Sequence, residues 1–484
     1  SDGAGSTYVV SSTSATFSNI TFVDPGAGGA AILDAGDGND VIVVNTTNFV
    51  ADLILRGGEG DNTINAVNGT FNTLSLGGDF TTMNTSGATV TDFVFDARPS
   101  IANRVTVSRP GAGQIQIVDE TDIGTTTTTI NDPTGSLTID TGYNAPYTTE
   151  YIHIQALGDL DADLILDAGS LNRNSDGGDS VVFQGDIALA GHTLDIKANT
   201  VMIENGVTVS TSNTGGTAGD ITIEGHDITL ETNASLLADG ATKGDISILA
   251  EDYTNLFTPF VNVDITNVSF TMKDGAEIVG GDVEILAAAD ASQLFENNAE
   301  GIEGQALSLL ETALSTIESL ASLMVKVSYV EARATIDIQA NSAITAETFT
   351  AYASSYAKAT AVPTMSWFFG GAAGVAITEA DVSIAGNITV TGDVTIRALA
   401  DHTVNVVASP SAVKGIAAAV AVSVIDSEST VHVTKDAVLD IGGNLSMRAE
   451  TVDRNRTTAL SVAGKDGAVG IAVAVTVEDG STNA

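Results

Sequence analysis

One six-residue pattern constrains this chain more than any other feature: a polar residue, an apolar one, any residue, an apolar or small one, any residue, then Ala or Gly. It occurs seven times, beginning at Thr193 (TLDIKA), Asp220 (DITIEG), Asp245 (DISILA), Asp282 (DVEILA), Thr348 (TFTAYA), Asp393 (DVTIRA) and Asn444 (NLSMRA). Alternation with period two places the apolar side chains on one face of a strand, and the small last residue suits a corner. Successive copies start 27, 25, 37, 66, 45 and 51 residues apart. A spacing near 25 holds about three short strands and three turns, one coil of a parallel β-helix, and internal periods of this size mark solenoids. The larger spacings fit two smaller coils or one coil with an insertion. Further strands of the same type fall at 207–210, 228–231 and 388–391, bounded by Gly, Asn and Asp. Helical periodicity is nearly absent, which excludes α/β folds whose parallel strands need helical crossovers.

The predicted fold is all-β: a right-handed parallel β-helix with one amphipathic helical insertion. That helix is predicted over 301–324, where Ile302, Ala306, Leu309, Ala313, Ile317, Leu320 and Met324 recur in steps of three or four. It falls inside the 66-residue gap. The last third changes character, with runs of Ala, Val, Ile and Gly at 374–378, 415–426 and 470–479. Such runs predict strands buried on both faces and a second layer or thicker coil. The organisation read from these shifts is an N-terminal solenoid over 1–155, a regular β-helix over 156–295, the helical insertion over 296–326, and Ala/Val-rich strand repeats over 327–484 that continue into further repeats. Some 15 to 20 coils at about 4.8 Å each predict a rod.

Composition sets the partners. With 61 acidic against 18 basic side chains the formal charge is -43, which repels nucleic acid and anionic lipid alike. No apolar run approaches the ~20 residues of a membrane-spanning helix, so no membrane insertion is expected of this segment. With 43% hydrophobic and 16% charged residues, the chain is too apolar to stay unfolded. It has no cysteine, so rigidity outside the cell must come from a core, a metal or repetition. The chain starts Ser1-Asp2-Gly3 with no basic, apolar leader, and it stops after a strand-like run; both features read as a segment of something longer.

Near the start, Ala35-Gly36-Asp37-Gly38-Asn39-Asp40-Val41-Ile42-Val43 is followed 22 residues later by Gly57-Gly58-Glu59-Gly60-Asp61-Asn62-Thr63-Ile64-Asn65. These phrases resemble the calcium-binding nonapeptide of repeats-in-toxin proteins, in which glycines turn the chain and carboxylates and carbonyls hold the ion. The second copy has Asn62 where the pattern has aspartate, and the copies lie one coil apart instead of in tandem. The resemblance implies calcium, with Asp37, Asn39, Asp40, Glu59 and Asp61 as candidate ligands on stacked turns. The bland alternative is that the glycines only turn corners. Acidic residues also cluster at Asp159, Asp161 and Asp163, read as three carboxylates on one strand face that water, salt or a cation must relieve.

Residues from about 156 to 290 resemble filamentous-haemagglutinin-type adhesins, and the repeats after Val327 resemble those of giant bacterial surface proteins. The resemblance implies an exported structural or adhesive segment on the bacterial cell surface, partnered by its own copies or neighbouring repeats and by glycans or a host surface. It brings no catalytic residue. The rival reading is a polysaccharide-active β-helix enzyme using a carboxylate pair from Asp159, Asp161 and Asp163. The few basic residues and the scattered histidines at 153, 192, 226, 402 and 432 argue against a lyase or epimerase, which must neutralise a uronate. A third reading is a glycan-binding module centred on Trp367, Phe368 and Phe369, the only dense aromatic cluster; packing in the core is the plain alternative.

Overall fold

The computed structural model describes residues 7–10, 20–36, 38–44, 46, 48–58, 62–66, 69–77, 80–84, 88–97, 103–121, 124–141, 149–169, 178–253, 261–292, 324–361, 369–412, 416–463 and 469–483. Within them the chain is all-β, without helix. The helix predicted over 301–324 lies outside the described residues but for Met324, which begins the strand Met324–Ile338.

Three sheets dominate, of 13, 15 and 8 strands, and the chain visits them in rotation. From Gly158 onward each circuit adds one strand to each sheet, and neighbours from successive circuits pair parallel. All seven copies of the six-residue pattern lie on consecutive strands of the 13-stranded sheet, from Leu194–Lys197 to Leu445–Ala459. Their shared register stacks like on like. One buried inward column runs Leu53, Leu74, Phe93, Leu137, Leu164, Leu194, then through Ile221, Ile246, Val283 and Phe349 to Val394, and Leu445 continues its register in the exposed last strand of the sheet. Slipping any strand by one residue would turn its apolar side chains outward, which is why the pairing is specified so strongly.

The corners repeat as well. Between the second and third sheets the chain makes the same tight turn in successive circuits, with a residue in the left-handed region at Gly206 (φ 72°), Asn233 (φ 56°), Gly275 (φ 71°) and Asn341 (φ 59°). Glycine and asparagine tolerate this conformation where other residues are strained. The Val207, Ala234 and Ala276 amides donate back to the Glu204, Glu231 and Lys273 carbonyls to close it.

The first position of the six-residue pattern has its own role. The Asp220 carboxylate accepts the Asp245 backbone N–H at 2.9 Å, Asp245 accepts that of Asp282 at 3.0 Å, and Asp393 accepts that of Asn444 at 2.7 Å. Each acid therefore ties its corner to the next circuit, and an ionised acceptor makes a stronger bond than a neutral one.

Three regimes follow one another. Among the described residues from Ala30 to Ala97 the circuits pass through two of the three large sheets. A local exception follows: Arg104–Gly111, Gln114–Thr121 and Gly124–Asn131 pair antiparallel inside the 15-stranded sheet. From 158 the third sheet is added. From Val261–Met272 the strands of the first two sheets lengthen to as many as 18 residues, while those of the third stay at four or fewer. Among the described residues, the spacings of 37, 66, 45 and 51 each take in one strand of each of the three sheets, with longer strands in the first two, and are not pairs of small coils; the 66-residue spacing also contains 293–323, outside the described residues. Nor are the small-residue runs buried on both faces: 374–378 and 417–425 alternate buried with half-exposed residues, and 470–479 is exposed. Beyond the third sheet the other two face each other directly, as the approach of Gly374 to Val406 shows, and their inner faces are buried except in the last strands Leu445–Ala459 and Val469–Asn483.

Candidate functional site

At the two glycine-rich corners near the start, Gly36 (φ 79°), Gly38 (φ 130°) and Gly58 (φ 73°) occupy the left-handed region. The second corner sits on the first: a Cβ at Gly58 would lie 2.1 Å from the Gly36 carbonyl oxygen, so only glycine allows the approach. Thr63 N–H donates to the Asp40 carbonyl at 2.8 Å, and the Asn62 carboxamide joins the corners by accepting the Asp40 N–H at 2.8 Å and donating to the Gly58 carbonyl at 3.2 Å. Asn62 is fully buried. Its departure from the aspartate of the nonapeptide has a physical reason. An amide both donates and accepts here, which a carboxylate cannot do. Asp40 presents Oδ2 into this corner without a hydrogen-bond partner among the described residues. Asp37, Glu59 and Asp61 lie outside the described residues, as do Trp367 and Phe368; Phe369 begins the strand Phe369–Ile384.

The acidic triplet occupies a corner, not one strand face. Asp159 ends the strand Gly158–Asp159, Asp163 begins Asp163–Asp167, and Leu160 and Ala162 between them turn fully inward. His192 of the next circuit stands between two of the acids, with Nε2 3.2 Å from Asp161 Oδ1 and Nδ1 3.3 Å from Asp163 Oδ1. Asp163 also accepts the Thr193 N–H at 2.8 Å. Arg109, which pairs with Asp132 at 2.7 Å, donates to the Asp159 backbone carbonyl at 2.7 Å. His192 thus bridges two of the three acids, and Arg109 fixes the backbone of the third.

No protein-family signature, curated protein or solved structure matches the chain.

A third cluster comes from register alone. His402 is fully buried between the two long-stranded sheets. Its Nδ1 lies 2.7 Å from Ser427 Oγ and 3.2 Å from Asp453 Oδ1, and Ser427 Oγ lies 2.7 Å from Thr378 Oγ1. A Ser-His-Asp relay needs serine on one ring nitrogen and the carboxylate on the other. Here both share Nδ1, and either tautomer leaves Nε2 without a hydrogen-bond partner among the described residues. Burial holds the imidazole below its ordinary value of 6.5 against the opposing pull of Asp453, Asp401 and Glu478. The arrangement is a buried polar link between facing sheets. No sequence motif marks it, because its members come from four strands that only the parallel register aligns.

Among the described residues, no group of three or more His, Cys, Asp or Glu side chains is placed to hold a metal ion.

Proposed function

We propose that this chain is a structural segment of a large secreted bacterial surface or matrix protein, wound as a right-handed parallel β-solenoid that acts as a rigid spacer and is stiffened by calcium at its N-terminal corners. The observation that carries the reading is the unbroken inward column from Leu53 to Val394, held in register on the 13-stranded sheet. A stack of this kind grows in length without growing in width, so each circuit adds ~4.8 Å of span and fresh outer surface. The -43 charge suits a surface that stays soluble and attracts divalent cations. Calcium is favoured at the stacked corners because Gly58 closes directly on Gly36 and Asp40 turns an oxygen inward, leaving Asp37, Asn39, Asp40, Glu59 and Asp61 to supply oxygen ligands from two adjacent turns. Adhesion to a glycan or host surface is the companion proposal, made through the outer faces and not through a catalytic cleft.

Thermal melting in calcium against excess chelator, with small-angle scattering of the same samples, tests both parts. Calcium at about 100 times its dissociation constant stabilises the folded form by ~2.7 kcal/mol, so the melting midpoint is expected to rise with calcium while the scattering profile stays that of an elongated particle. Coincident midpoints end the calcium proposal, and a globular profile ends the rod.

A further inference from the structure

We propose that the outer face of the strands Thr348–Ala361, Val394–Ala408 and Leu445–Ala459 binds a linear acidic polysaccharide through the carboxylates on its sugars.

These are the last three strands of the 13-stranded sheet. Their inward positions continue the column that begins at Leu53, so the alternate residues point out. On the outward positions stand Lys358, Arg397, Arg448, Arg454 and Arg456, against two acids, Asp401 and Glu450. Taking these from the 18 basic and 61 acidic residues of the chain leaves 13 basic against 59 acidic everywhere else. A strip of net charge +3 therefore lies on a chain that is otherwise strongly anionic.

The register sorts the five bases into two groups. Arg397 and Arg448 are paired neighbours, and the Arg397 guanidinium lies 5.2 Å from the centre of the Tyr352 ring on the next strand. Farther along, Lys358, Thr403 and Arg454 share one row, and Arg456 follows two residues on. Arg448 and Arg454 are six residues apart, or about 20 Å along an extended strand. The half-exposed Tyr356 lies on a row between the groups. Glu450 is shared by Arg397 at 3.2 Å and Arg448 at 2.9 Å, and Asp401 pairs with Arg454. Lys358 and Arg456 are exposed and form no ion pair among the described residues.

Three features select the ligand. Two basic groups this far apart reward a molecule long enough to engage both, since the second contact is then intramolecular. Acids border the strip: Glu284 and Asp290 face outward on the adjoining strand Asp282–Ser292, and Asp393 stands at the corner before Val394. A single thread fits between them, whereas a flat anionic surface meets them as well. A nucleic-acid duplex, with one charge per ~1.7 Å of axis, is far denser than five bases neutralise. A polyuronate carries one carboxylate per sugar, which the planar fork of arginine matches bidentately. Its hydroxyls can donate to Glu450 and Asp401, and its ring faces can rest on Tyr352 and Tyr356.

This site and ligand class deepen the companion proposal of adhesion to a glycan and rest on it. Polygalacturonate is the probe, with binding followed by calorimetry at ~0.05 M salt, where surface charges are weakly screened. Trigalacturonate, too short to reach both groups, is expected to bind about tenfold more weakly or worse. K358Q/R456Q, which breaks no ion pair, is expected to lower affinity for the polymer about three- to tenfold with an unchanged melting midpoint. R397Q/R448Q is expected to lower it at least as much, while Arg104→Gln, on the 15-stranded sheet, binds as wild type. Unchanged affinity in both double variants overturns the proposal, as does polyglutamate or single-stranded DNA binding as tightly as polygalacturonate. A chain that binds a neutral glycan but not polygalacturonate loses this site and keeps adhesion. One that binds neither polygalacturonate nor any of a panel of neutral glycans loses both.

Discussion

The circuits near residue 220 and those near residue 400 share one register but are filled differently. In the first, strands of three to five residues from three sheets contribute Ile221, Ile223, Ile228, Leu230 and Leu236, all fully buried. In the second, strands such as Val394–Ala408 and Ile416–Val433 run past the third sheet and face each other in two layers. Their interior there is Ala398, Ala400, Ala417, Ala419 and Ala421, with Ser427 and His402 among them. Three walls leave a wide space that large aliphatic side chains must fill; two walls close on one another until only small side chains fit. Gly374 shows how near they come, since a Cβ there would lie 2.6 Å from Val406 Cγ2 and 3.2 Å from Val404 Cγ1. Alanine-rich sequence in this chain is therefore a statement about the distance between sheets.

The sharpest way to break that contrast is to remove volume from the three-walled region. Phe183→Ala, at a fully buried position, is expected to cost about 3–5 kcal/mol in urea unfolding, because little can move to fill the cavity. Adding volume to the two-walled region is the complementary test. Gly374→Val is expected to cost about 1–3 kcal/mol through overpacking, with faster hydrogen exchange confined to the long strands and the circuits near 220 unchanged. Equal loss of protection in both regions would mean that they do not differ as described.

A smaller effect separates the regions by pH. The imidazole of His402 is held below its ordinary value of 6.5 by burial, so the unfolded chain binds the proton more readily than the folded one. Stability from the neutral ring is complete above about pH 6.5 and is lost as the pH falls below it, at no more than ~1.4 kcal/mol for each tenfold rise in proton concentration. Hydrogen exchange, corrected for its intrinsic pH dependence, is expected to show the long strands loosening below that pH in the wild type and not in His402→Gln. A wild-type chain whose long strands keep the same protection from pH 7.5 to 5 would remove His402 as a pH-sensitive link.

Much of the fold is legible in the residues alone. The six-residue pattern locates seven neighbouring strands of one sheet, and where its first residue is Asp220, Asp245 or Asp393 that carboxylate, to which the pattern itself gives no role, is the acceptor that ties one corner to the next. The lengthened strands are not legible, because a spacing of 45 or 51 residues is equally consistent with two short circuits or one long one. Of the candidate site, the stacking of the glycine-rich corners follows from their 22-residue offset, while the inward turn of Asn62 does not. The His402 cluster has no local signal: Ser427 and Asp453 lie 25 and 51 residues beyond the histidine, and nothing in their immediate sequence distinguishes them from surface polar residues.

By itself the sequence determined that strands would form, which face of each would be buried and that like positions would stack, since period-two patterning and turn residues act locally and repeat. Only the tertiary structure decided which distant residues share a column and how far apart the sheets stand. Those outcomes depend on how many residues each circuit spends between strands, and that length shows itself only when the circuits are laid in register.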